Sequence, residues 1–228
     1  MKTRGVLLLA VATAASAGLA TPALAQSKPD PSPWFIRAEI GGAQLQAETG
    51  NWLPPGRSDP RVLHELTRPW AVMGGGAVGF SPWRGVKTEL YFSRLFQANV
   101  SGTWIYTEPP VAGPHADMKS SVSSSLFMAN AYFHPLAMMG VDFPVQPFIG
   151  GGIGLALNRM SPWTRSNPAA SQPVRLFDGG ESSRFAWNLA AGVSVSLEGL
   201  LSFPISIDMT YRYIDAGRVQ GGVGAYPD

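Results

Sequence analysis

The chain has 228 residues, with 17 Lys and Arg against 15 Asp and Glu and no cysteine. The absence of cysteine excludes disulfides, thiolate metal sites and a cysteine nucleophile, and charged residues at 14% are sparse for a globular domain. The only charges before position 26 are Lys2 and Arg4, so residues 26–228 balance fifteen basic against fifteen acidic side chains and hold no basic excess for nucleic acid.

Lys2 and Arg4, the apolar run Val6 to Ala12, and Ala23-Leu24-Ala25 before Gln26 have the layout of an export signal. Residues 1–25 are therefore expected to be a signal peptide, 26–33 a proline-rich lead-in, and 34–228 the folded domain. No later stretch has the ~20 continuous apolar residues of a membrane helix. An exported chain can still span a membrane with a closed sheet, whose backbone groups pair with one another.

Seven two-faced strands are predicted. The first runs from Trp34 to about Glu48, with Trp34, Ile36, Ala38 and Ile40 alternating with Phe35, Arg37, Glu39 and Gly41. Phe35 breaks the pattern and is assigned to the rim. Glycine-rich Trp70–Phe80, Val86–Phe96, Ser121–Phe133 and Val145–Leu157 follow. The last two strands are the long hairpin Phe185–Asp215. Its apolar set Leu189, Ala191, Val193 and Ile207 opposes the small or polar set Asn188, Gly192, Ser194 and Asp208. Long connections at Asn51–Pro69, Ala98–Lys119 and Asn158–Ser182 alternate with shorter ones at Ser81–Gly85, His134–Pro144 and Glu198–Ser202. Transmembrane barrels show this asymmetry, with long loops outside and short turns on the periplasmic side.

The stretches Phe127-Met128-Ala129-Asn130-Ala131-Tyr132-Phe133, Pro147-Phe148-Ile149-Gly150-Gly151-Gly152-Ile153-Gly154, Phe185-Ala186-Trp187-Asn188-Leu189-Ala190-Ala191-Gly192-Val193 and Asp208-Met209-Thr210-Tyr211-Arg212-Tyr213 resemble the opacity-type, OmpA-like family of small outer-membrane β-barrels. The resemblance implies an all-β, antiparallel, up-and-down transmembrane barrel of eight strands in the bacterial outer membrane. Such barrels have an even strand number, and seven are counted. The chain is thus expected to stop before an eighth strand, its last residues reading as a fourth outer loop.

Charges flanked by apolar neighbours must point into the barrel. Arg37, Glu39, Lys87, Glu89, Asp208 and Arg212 are assigned to one interior network, because an eight-stranded barrel leaves room only for side chains and an unpaired buried charge is costly. The alternative use of these charges is a gated narrow polar path. Trp34, Trp70, Trp83, Trp104, Trp187, Tyr91, Tyr211 and Tyr213 suit interfacial girdles, while Trp52, Trp104 and Trp163 are candidates for contacts in the outer loops. Gly74-x-Gly76-x-x-Gly79 matches a dinucleotide fingerprint as a string, but Phe80-Ser81-Pro82-Trp83 cannot start the helix that motif requires. His64, His115 and His134 are dispersed: His64 and His115 lie in proline-rich loops, and His134, at a turn before Pro135, has no nearby serine of the kind an acyl-transfer site needs as nucleophile. No cofactor, metal or enzymatic activity is expected. The expected role is structural or surface-interaction, adhesin-like or in envelope integrity. Outer-membrane lipid is one partner, and an extracellular or host ligand reaches the loops. A narrow porin is the alternative, and a soluble lipocalin-like carrier is the third reading.

Overall fold

The computed structural model describes residues 2–3, 5–18, 33–47, 49–52, 61–108, 117–166, 174–197 and 205–221. The strands are β1 (Lys2–Thr3), β2 (Gly5–Gly18), β3 (Trp34–Ala47), β4 (Thr49–Trp52), β5 (Arg61–Leu66), β6 (Trp70–Trp83), β7 (Val86–Glu108) and β8 (Asp117–Phe133). The one-turn helix α1 (Pro135–Met138) precedes β9 (Val145–Met160), β10 (Trp163–Ser166), β11 (Arg175–Phe177), β12 (Gly180–Ser196), β13 (Ile205–Asp215) and β14 (Val219–Gln220). Among the described residues, no helix is long and apolar enough to cross a membrane.

One twelve-stranded sheet holds nearly all of these elements, in the order β11-β10-β8-β9-β12-β13-β2-β3-β6-β7-β5-β4. Its pairings are antiparallel, and β7 also pairs with β8, so the sheet curls back on itself. Alternation in the sequence gives the curled sheet two unlike faces. In β8, Leu126, Met128, Asn130 and Tyr132 are buried on the concave side, while Phe127, Ala129, Ala131 and Phe133 are exposed on the convex side. The convex face carries exposed Ile40, Val78, Leu90, Ile153, Leu189 and Met209.

Several strands are longer than the sequence pattern predicts. Ala98–Lys119 is not wholly a loop, because β7 runs on to Glu108 and β8 starts at Asp117. The cause is a register shift between Leu95 and Ala98. Before it, Glu89, Tyr91, Ser93 and Leu95 are buried; after it, Ala98, Val100 and Gly102 are. A bulge of this kind flips the alternation phase, so the continuation reads as aperiodic.

The N-terminal segment expected as a signal peptide also has a place in the sheet. Gly5–Gly18 pairs on one edge with β3 and on the other with β13. Gly5–Gly18 is thus a further long strand beyond the seven predicted. The expected cleavage site at Ala25 lies outside the described residues.

Candidate functional site

The concave interior is layered along the strands. Towards the ends joined by long connections it is apolar: Leu45, Met73, Leu95, Met118, Met160 and Ile214 belong to one buried cluster with Trp163 and Phe177. The middle is ionic. Towards the short turns, Phe35, Lys87, His134, Phe148 and Asp208 enclose a small cavity.

Four of the six charges predicted to share a network do so. Arg37 and Glu39 alternate on β3, Glu89 is on β7 and Arg212 on β13, and all four are buried. Arg37 lies between the two carboxylates: its Nε donates to Glu89 Oε2 at 3.1 Å and its Nη1 to Glu39 Oε2 at 3.0 Å. Arg212 Nη1 donates to Glu39 Oε1 at 2.8 Å. Two guanidinium and two carboxylate groups thus neutralise one another, as buried charges require.

Sequence reasoning missed the neutral members of this network. The Tyr91 hydroxyl donates to Glu39 Oε1 at 2.9 Å and accepts from Arg212 Nη1 at 3.0 Å. The Tyr132 hydroxyl donates to Glu89 Oε1 at 2.9 Å and accepts from Arg212 Nη2 at 3.1 Å. Asn130 Nδ2 also donates to Glu89 Oε1, at 2.9 Å, and Asn188 Nδ2 to Asn130 Oδ1 at 2.8 Å. The Arg212 guanidinium stacks on the Tyr91 ring, 4.7 Å from its centroid. Tyr91 is therefore interior rather than a girdle residue. The signal was present, since Tyr91, Asn130, Tyr132 and Asn188 lie on the polar faces of their strands. Glycines facing the same layer leave it room: a Cβ on Gly152 would collide with Asn130 Oδ1, and one on Gly150 with the Tyr132 ring.

Lys87 and Asp208 correct the prediction of one six-member network. Neither hydrogen-bonds to the other four; both line the adjoining cavity of about 20 Å³, room for one water molecule. Asp208 Oδ1 is buried with no hydrogen-bond partner, and Lys87 Nζ lies 5.6 Å from the Phe35 ring centroid. Phe35 points inward over Gly79, where a Cβ would strike its ring; the missing side chain at Gly79 lets an aromatic ring sit on the polar face. His134 follows β8 directly, its ring 5.3 Å from that of Phe148. Burial first, and the Lys87 charge second, push its pKa down to about 4.

Of the tryptophans predicted as outer contacts, Trp163 is overturned: it is 1% exposed and stacked on Phe177, centroids 4.0 Å apart. Pairing of β10 with both β8 and β11 folds it inward. Trp104 is half-buried against the same cluster, and the Trp52 side chain lies outside the described residues. Trp34, Trp70, Trp83 and Tyr211, assigned to girdles, are exposed. His64 is buried, and His115 lies outside the described residues. Among the described residues, no group of three or more His, Cys, Asp or Glu could hold a metal ion.

The chain is similar to three uncharacterized Brucella proteins, from B. abortus (strain 2308), B. suis biovar 1 (strain 1330) and B. melitensis biotype 1 (strain 16M). Each is 28% identical over 242 aligned residues, which cover 95% of this chain and 81% of the relative. No family model matches the chain, and no solved structure matches it.

Proposed function

We propose that the protein is an outer-membrane β-barrel whose role is structural or surface-interaction: an anchor holding the outer ends of its strands at the cell surface. The observation that carries this reading is the inverted polarity of the sheet. A hydrogen-bonded ion network lies inside and large apolar side chains lie outside. A soluble carrier would turn its apolar face inward, whereas lipid contact favours an apolar exterior. The antiparallel sheet suits a closed barrel of eight strands, the class the opacity-type resemblance implies. A shallow apolar groove of about 710 Å³, bordered by Trp34, Leu90, Ile153 and Trp187, suits acyl chains on the outer surface.

The same interior speaks against an open pore. Arg37, Glu39, Glu89 and Arg212 cross it, and the apolar cluster fills the end joined by long connections. Surface contacts then fall to residues beyond the bulge of β7 and beside β11, where Ile105, Val174 and Leu176 are exposed. The test is reconstitution in planar bilayers together with lipid flotation. Flotation with vesicles and no steady conductance is the expected result. Stable single-channel openings would replace the anchor by the narrow-porin reading, and failure to float would favour the soluble carrier.

A further inference from the structure

The gap between β3 and β13 holds a strand that pairs with both of them. Its occupant, Gly5–Gly18, carries no charge. Register places Ala14 opposite both Glu39 and Asp208, and Ser16 opposite Arg37. Here the flanking side chains are charged and buried, and the register sets alanine and serine opposite them. Further along, Leu7 is opposite Leu45 and Ile214, two members of the apolar cluster. Leu7 thus shares the register of the apolar layer and Ala14 and Ser16 that of Glu39, Asp208 and Arg37, while Leu9 falls opposite Arg212 and Ala43.

The change of phase between the layers has a local cause. Val11 pairs with Tyr211 and Leu9 with Arg212, so Ala10 is skipped on the β13 side; on the β3 side the register shifts between Leu9 and Ala12. One extra residue therefore moves alternate positions from even numbers to odd ones, as a bulge does.

We infer that the gap between β3 and β13 is a strand-acceptor site. It binds an extended, uncharged segment with leucines at the apolar end and residues no larger than alanine or serine opposite Glu39, Asp208 and Arg37. Gly5–Gly18 is its occupant in the full chain. Removal of residues 1–25 vacates it and leaves two strand edges open to another segment of the same pattern, because unpaired edges in lipid are strongly disfavoured. The inference rests on the barrel reading above.

The chain has no cysteine, so engineered pairs report without background. The full chain, residues 1–25 retained, is refolded into detergent micelles. Thr13→Cys with Met209→Cys joins registered neighbours across the gap; Val193→Cys with Met209→Cys joins neighbours in the β12–β13 hairpin. Both disulfides should form on oxidation. A synthetic peptide of residues 5–18, in excess during refolding, should lower the Thr13–Met209 yield several-fold and leave the hairpin yield unchanged. The same peptide with Ala14→Arg should not compete. A hairpin disulfide without the Thr13–Met209 disulfide overturns the assignment of the occupant. Equal competition by the two peptides, or none by either, overturns the acceptor site. Loss of both disulfides shows that the sheet itself is absent, and the barrel reading fails first.

Discussion

Arg212 Nη1 sits 2.8 Å from Glu39 Oε1, although 173 positions separate the two residues in the chain. Arg212 is fully buried, and Glu39 also accepts from Arg37 and Tyr91. Arg212→Ala leaves a buried acidic excess, with Tyr91 and Tyr132 each losing a donor. It should destabilise the protein by ~3–5 kcal/mol, the usual consequence of removing one partner of a buried pair. Urea unfolding in detergent measures this directly. An unmoved midpoint would mean that Arg212 is solvated. Removing Glu39 as well should cost less than the sum of the two single changes, because they share one interaction.

Tyr132 separates hydrogen bonding from charge. Tyr132→Phe preserves the ring against Phe148 but deletes the hydroxyl between Glu89 and Arg212. The expected loss is ~1–3 kcal/mol, as for a hydrogen bond to charged groups. A change as large as that of Arg212→Ala would show that the hydroxyl holds the arginine in place.

His134 makes stability depend on pH. Its folded pKa, pushed down to about 4 by burial and Lys87, lies below the ordinary value of 6.5. Between the two the unfolded chain binds a proton that the folded chain refuses, so stability falls as pH drops from about 6.5 to about 4 and then levels off with respect to this group. Comparing unfolding midpoints of the wild type and His134→Gln across that window isolates the histidine. The wild type should lose stability more steeply; parallel curves would show that His134 titrates normally.

Period-two alternation made the faces legible, and with them the inward placement of Arg37, Glu39, Glu89 and Arg212. It could not say which charges meet, since that depends on strand order and stagger. Lys87 and Asp208 alternate as cleanly as the other four, yet they lie one layer nearer the short turns. Tyr91 was on the right face, but an aromatic ring on a strand expected to cross a membrane reads first as a girdle residue; Tyr132 was on the right face with no role assigned. Trp163 was misplaced because β10 and β11 are only four and three residues long, too short to show a period. The extension of β7 past Leu95 was hidden by the bulge.

The orientation of the two faces decides the membrane reading, and neighbouring residues of β12 test it. Leu189 is 60% exposed on the convex side and Asn188 is 2% exposed beside Asn130. If the convex face meets lipid, a spin label at Leu189 in a reconstituted bilayer should collide often with oxygen and rarely with a water-soluble relaxer. A label at Asn188 should be shielded from both, because the interior is packed. Substitution gives an energetic counterpart. Ala191→Arg, on the exposed side of the same strand, should impair insertion by ~2–4 kcal/mol if it lies near the midplane, and much less near an interface. Ser194→Arg should also do damage, but through the buried interior: Ser194 pairs with Asp208 across β13, so a shorter cation there could be tolerated where none is at Ala191. Ser194→Lys should accordingly be milder than Ser194→Arg, while Lys and Arg at Ala191 should be equally harmful. A Leu189 label that the water-soluble relaxer reaches freely would invert the faces, and the soluble-carrier reading would then replace the membrane one.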